Sequence, residues 1–161
     1  MGGSRAIVLK AGEGRRTELG SGLELCFKVD DAESDGRYSI SVATLGAEHP
    51  GTTPHVHREH DELFFVIEGT PTFTVEDETF EAPAGTLVLV TRGSRHRWWN
   101  PRPEPAEVLD IHAPGYGFES FIRELAALSA AGRATPAAMA ELGARHDDHF
   151  DVDALEDRYV P

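Results

Sequence analysis

From residue 37 to 45 the chain alternates strictly, with Tyr38, Ile40 and Val42 apolar and Ser39, Ser41 and Ala43 small or polar between them. That period of two predicts a strand with one buried face. Short apolar runs follow at 63–67, 72–75, 86–90, 96–99 and 107–112, separated by segments rich in Gly, Pro, Asp and Glu. Each reads as a strand closed by a turn, and many short strands in series predict an all-β sandwich or barrel. Past Pro114-Gly115 the period changes: Phe118, Phe121, Ile122, Leu125 and Leu128 recur every three or four residues, which predicts an amphipathic helix of about four turns. A second helix is predicted from Pro136 through Met139 and Leu142 toward Arg145, since proline suits a first helical turn. The expected organisation is one domain, a barrel over 1–115 with a helical tail over 116–161 packed on it.

Composition narrows the setting. A chain of 161 residues buries one sizeable core, and its 40% hydrophobic and 27% charged content is ordinary for a soluble protein. No apolar run nears the roughly 20 residues a membrane-spanning helix requires. The N-terminus lacks the basic-then-apolar pattern of a secretory signal, so a cytoplasmic protein is expected, with Met1 to Ser4 read as an expression remnant. The formal net charge of −13 works against nucleic-acid phosphates and anionic membrane surfaces. Cys26, the one cysteine, lies in the apolar run 23–29 and reads as a core residue, which excludes an internal disulfide or a thiolate-based zinc site.

The chemistry concentrates in two places. Pro54-His55-Val56-His57 puts two imidazoles one residue apart, so on a strand they share a face. Five residues after His57, Glu62 opens an otherwise apolar strand; pointing inward, it needs a counter-charge, which a divalent cation supplies. His96 follows Gly93-Ser94-Arg95. Three imidazoles and one carboxylate suit one Fe, Ni, Mn, Co or Zn ion and offer too few oxygens for Ca or Mg.

This order and spacing resemble the two motifs of the cupin superfamily. The first is seen as His55-x-His57, four residues, Glu62, six residues, Gly69; the second as Gly85, five residues, Thr91-x-Gly93, two residues, His96, three residues, Asn100. Thr91 stands where the family usually has proline, and the family's leading glycine is replaced by Gly51, nearer to His55. The resemblance covers residues 37–112. It implies a jelly-roll-like double-stranded β-barrel with a metal held inside one end by His55, His57, Glu62 and His96.

Period two extends the expected cavity lining to Phe64 and Val66 beside Glu62, and to Trp98 and Asn100 beside His96. His112, ending the last strand, either lines the pocket or caps the barrel. Trp99, Phe65 and Ile67 then face outward and need a cover, either the helical tail or a second copy, so a homodimer is expected. His60 and Asp61 read as solvent-exposed, with a hydrogen bond to a ligand as the alternative. The cluster His146-Asp147-Asp148-His149 reads as solvated surface.

Fold alone does not fix function. The pattern His-x-His-x-x-x-Asp-Glu-x-x-x-Val-x-x-Gly, with Ala113-Pro114-Gly115 and Phe118-Glu119-Ser120-Phe121, looks like the small single-domain cupins related to quercetin 2,3-dioxygenase. That likeness implies a metal-dependent dioxygenase for a phenolic or enolic small molecule, with Glu62 both ligand and base. The alternatives are a polyketide cyclase or isomerase that uses the metal only as a Lewis acid, and a non-enzymatic small-molecule binder.

Overall fold

The computed structural model describes residues 6–20, 22–151 and 153–154; the stretch read as an expression remnant lies outside them. The strands are β1 (Arg15–Glu18), β2 (Leu23–Val29), β3 (Ser39–Leu45), β4 (His55–Val56), β5 (Asp61–Glu68), β6 (Thr72–Val75), β7 (Glu78–Glu81), β8 (Leu87–Val90), β9 (His96–Trp99), β10 (Ala106–Ala113) and β11 (His149–Phe150). Two helices, α1 (Phe118–Ala130) and α2 (Pro136–Arg145), precede the last strand.

The strands form two antiparallel sheets, ordered β1-β2-β3-β10-β5-β8 and β11-β4-β9-β6-β7. Together they form the double-stranded β-barrel that the motif resemblance implies. Alternation decides what each face shows. Along β10, Ala106, Val108, Asp110 and His112 are buried while Glu107, Leu109 and Ile111 are partly exposed. The inward residues Phe64, Val66, Phe73, Trp98 and Val108 form the barrel core. Trp98 packs parallel to Phe73, with centroids 5.8 Å apart.

Thr135 caps α2 by accepting from the Ala138 N–H, and Pro136 occupies its first turn. The buried Glu119 of α1 is clamped by Arg15 of β1, whose Nε donates at 3.0 Å to each carboxylate oxygen. The helices close the β1–β2 side of the barrel, and Phe121, Ile122, Met139 and Leu142 are buried. They leave the outer face of β5 and β8 open: Phe65, Ile67, Leu87 and Leu89 remain exposed in the single chain. No helix among the described residues is long and apolar enough to cross a membrane.

Candidate metal centre

Strand register assembles the site. His55 of β4 pairs directly with His96 of β9. Across the barrel, Glu62 of β5 pairs with His112 of β10. The loop before β4 passes so close to β9 that a Cβ on Gly51 would lie 1.8 Å from the Trp98 carbonyl oxygen. Gly51 also adopts φ +71°, so both contact and conformation demand glycine there.

His55, His57, Glu62 and His96 are all buried and bring one ligand atom each to within 4.8 Å of one another. Each histidine turns its Nδ1 to a backbone carbonyl: His55 to Thr53 at 2.7 Å, His57 to Asp147 at 2.9 Å and His96 to Ser94 at 3.1 Å. With Nδ1 donating, every Nε2 keeps a lone pair aimed inward. Glu62 Oε2 lies 2.6 Å from His96 Nε2, 3.0 Å from His57 Nε2 and 4.0 Å from His55 Nε2. Acceptors converging on one another call for a proton or a metal ion between them, and three oriented imidazoles with a carboxylate are a donor set for a transition metal. The residues therefore fit the metal that the fold implies.

Around this cluster lie groups that the sequence pattern read as exposed or left unnamed. His60, read as exposed, is fully buried: its Nδ1 donates to Asp147 Oδ2 at 2.9 Å and its Nε2 meets His112 Nδ1 at 2.9 Å. The reading of residues 146–149 as solvated surface is likewise corrected. Asp147 and Asp148 are each 6% exposed, because β11 pairs with β4 and draws the segment over the barrel mouth. Asp147 accepts hydrogen bonds from the backbone N–H groups of Arg58 and Glu59. Asp148 Oδ1 lies 3.8 Å from His55 Nε2, without a hydrogen-bond partner among the described residues. Asp110, inward on β10 two residues before His112, sets Oδ2 3.4 Å from His112 Nε2. Its same-face spacing from His112 was the available sequence signal.

Electrostatics follow from burial and crowding. Burial opposes charge on His57, but the Glu62 carboxylate outweighs it and raises the imidazole to about 9. His55 is held well below its ordinary value by burial and by His96 and His57. Burial lowers His112 to about 4, and burial with His57 and His112 lowers His60 to about 3. Burial and the Glu62 charge push Asp110 well above the usual carboxylate range, while Asp148, chiefly through burial, rises to about 6. Glu62 goes the other way: its histidine partners overcome burial and keep it ionised.

A cavity of about 500 Å³ opens onto the cluster. Its polar end carries His55, Glu62, Asp110, His112 and Asp148; its apolar end is walled by Leu25, Trp98, Phe118, Phe121, Ile122 and Phe150. None of its described lining residues is Lys or Arg. Of the positions named from the sequence, Trp98 and His112 line the cavity and Phe64, Val66 and Asn100 do not. Phe64 is wedged between Phe73 and Trp98, with centroids 5.2 and 5.6 Å away. Val66 is fully buried in the core. Asn100 Nδ2 donates to the Gly46 and Glu104 carbonyls, which ties down a loop.

The fold is that of the cupin double-stranded β-barrel, and its buried cluster could hold one metal. Residues 41–112 match the family model described as Cupin domain, which with the fold supports the cupin superfamily. The alginate biosynthesis protein AlgA of Pseudomonas aeruginosa is 28% identical over 98 residues, 60% of this chain; the match spans 20% of that relative's length. A predicted oxalate decarboxylase from Thermotoga maritima superposes with a TM-score of 0.60 at 16% identity, covering 66% of this chain and 98% of its own. The polyketide cyclase RemF from Streptomyces resistomycificus gives 0.58 at 16% identity, covering 68% and 80%. At these identities the structural likenesses show the fold alone.

Proposed function

We propose that the protein is a metal-dependent dioxygenase acting on a phenolic or enolic small molecule of largely apolar body. The observation that carries this reading is the cavity: apolar and aromatic along most of its wall, free of Lys and Arg among its described lining residues, and reaching the four-residue cluster at His55 and Glu62. A substrate bearing a carboxylate or phosphate would meet the buried acids Asp110 and Asp148 with no Lys or Arg in the cavity wall to receive it. A neutral aromatic or enolic molecule suits both ends.

A divalent transition ion held by the four side chains supplies Lewis acidity to a substrate oxygen and, with a redox-active metal, a route for electrons toward dioxygen. The remaining work falls to the chain. Trp98, Phe118 and Phe121 offer flat surfaces to the substrate body and keep water out. Glu62 holds Oε2 toward His57 and His96, leaving Oε1, which faces His112 at 3.4 Å, to accept the substrate's hydroxyl proton. The motif likeness to quercetin 2,3-dioxygenase-related cupins supports the same assignment.

A second reading, Lewis-acid cyclisation or isomerisation without oxygen, is favoured by the additional carboxyl groups of Asp110 and Asp148 at the same end of the cavity. The deciding experiment is elemental analysis of untagged protein, followed by an oxygen-electrode screen of flavonols, catechols and polyketide enols. About one equivalent of metal with oxygen consumption supports the dioxygenase. Product formed without oxygen uptake supports the second reading, and absence of bound metal after reconstitution sinks both.

A further inference from the structure

Asp148 is the group at this site that the fold positions most deliberately and that the proposed chemistry does not use. Its neighbours on both sides are pinned. Asp147 before it is bound through its carboxylate to the N–H groups of Arg58 and Glu59 and to His60. After it, His149 and Phe150 pair with Val56 and His55, and the Asp151 N–H donates to the Pro54 carbonyl. The Asp148 N–H itself donates to the carbonyl of Gly143 in α2.

The side chain thus held is buried, lines the cavity and directs Oδ1 to within 3.8 Å of His55 Nε2, with no hydrogen-bond donor among the described residues. Glu62 Oε2 lies 4.0 Å from that same nitrogen. Two carboxylates therefore flank His55. A buried acceptor that the protein leaves unpaired and that faces a cavity is open to a donor that arrives with the ligand.

We propose that Asp148 is a specificity-determining residue that accepts a hydrogen bond from a second hydroxyl of the substrate. The substrate head is then an adjacent pair of hydroxyls, a catechol or ene-diol, with one hydroxyl for Glu62 and the other for Asp148. This rests on the phenolic or enolic reading above and narrows it. A site that presents a fixed acceptor to a hydroxyl discriminates strongly against an analogue in which that hydrogen is missing, because the acceptor is then stranded.

The test uses zinc-loaded protein under anaerobic conditions, so that binding is read without turnover. The probes are 4-phenylcatechol and its two monomethyl ethers, followed by quenching of the cavity's Trp98. Wild-type protein is expected to bind the diol at least about tenfold more tightly than either ether. Asp148→Leu should lose most of that preference while retaining one zinc, and Asp148→Asn, nearly the same size, should show an intermediate preference and cover the case in which the leucine variant fails to fold. A preference unchanged in both variants, or a wild type that binds all three probes alike, overturns the role of Asp148 and leaves the phenolic reading standing. A wild type that binds zinc but none of these probes, and no flavonol or enol, overturns that reading and this inference with it.

Discussion

The barrel strands and the C-terminal segment hold opposite sides of one site by different means. Glu62 sits in an eight-residue strand hydrogen-bonded on both flanks, to β10 and to β8. The segment carrying Asp147 and Asp148 is attached by a two-residue strand, the Asp147 carboxylate and carbonyl, single backbone bonds from Asp148 to Gly143 and from Asp151 to Pro54, and the surface pair Arg95–Asp151 at 2.7 Å. Loss of one such contact opens the segment locally, whereas the ligands of β5 are released only when the sheet itself opens. The ion-holding half should therefore report global stability, and the acidic half should respond to mild substitutions that leave the barrel folded.

The largest effect is expected from the rigid half. His96→Ala removes a fully buried ligand from between His55 and Glu62, so metal occupancy should fall to background and the melting temperature of protein prepared with metal should drop to that of the metal-free form. Elemental analysis and calorimetry check both. Retention of one equivalent and an unchanged melting temperature would remove His96 from the ligand set.

Next comes pH, which separates metal-free from metal-loaded protein. In the metal-free form His57 is raised from 6.5 to about 9, so its folded-state stabilisation is complete below about 6.5 and lost as pH rises through about 9. The loss is on the order of 3 kcal/mol across that window. Below it the contributions oppose one another: Asp148, raised to about 6, loses stabilisation as pH rises from about 4, while His60 and His112, lowered to about 3 and about 4, lose it as pH falls. Above 6.5 the loss from His57 and that from the raised Asp110 carboxyl act in the same direction. Denaturant titrations at several pH values should show the loss without metal and its absence with metal bound, because the ion then takes the proton's place on His57. Identical profiles would mean that His57 does not bind the ion.

Asp147→Ala tests the more lightly attached half. It strands the Arg58 and Glu59 N–H groups and His60 and loosens the backbone whose carbonyl orients His57. Losing such an orienting partner costs about 10–100-fold in metal affinity. Hydrogen exchange should quicken at Arg58 and Glu59 while core amides of β5 and β10 stay protected; global exposure instead would show that the segment and barrel unfold as one unit.

These two halves also differ in how far they could be read from the chain. The four residues of the candidate cluster were legible because strand alternation and short spacing are local: His55 and His57 share a face wherever they lie on a strand, and Glu62 contradicts the apolar run it opens. The helix from Phe118 and the start at Pro136 were legible for the same reason. Period two gave direction but not depth, so Phe64 and Val66 pointed inward yet lie in the core, where Phe64 packs on Trp98 and only Trp98 reaches the cavity. The burial of Asp147 and Asp148 depends on pairing between β11 and β4, almost a hundred residues apart in sequence, and no local charge pattern encodes it. His60 was missed with them, since its partner is Asp147.

The smallest effect, and the most selective, is expected from Gly143→Ala. In the interior of an exposed helix this change gains up to about 1 kcal/mol, because glycine pays more backbone entropy than alanine. At Gly143 the added Cβ would lie 2.2 Å from the Asp148 carbonyl oxygen and 2.7 Å from a ring carbon of Phe150. The carbonyl belongs to backbone that is itself hydrogen-bonded to Gly143, so the segment must shift away from α2. The two contributions act on different readouts. Global stability should change by less than about 1 kcal/mol, while metal affinity falls a few-fold and the segment from 146 to 151 exchanges faster. A variant that loses global stability in proportion to its metal affinity would show that α2 and the segment are part of the barrel's cooperative core, and the distinction between the two halves of the site would collapse.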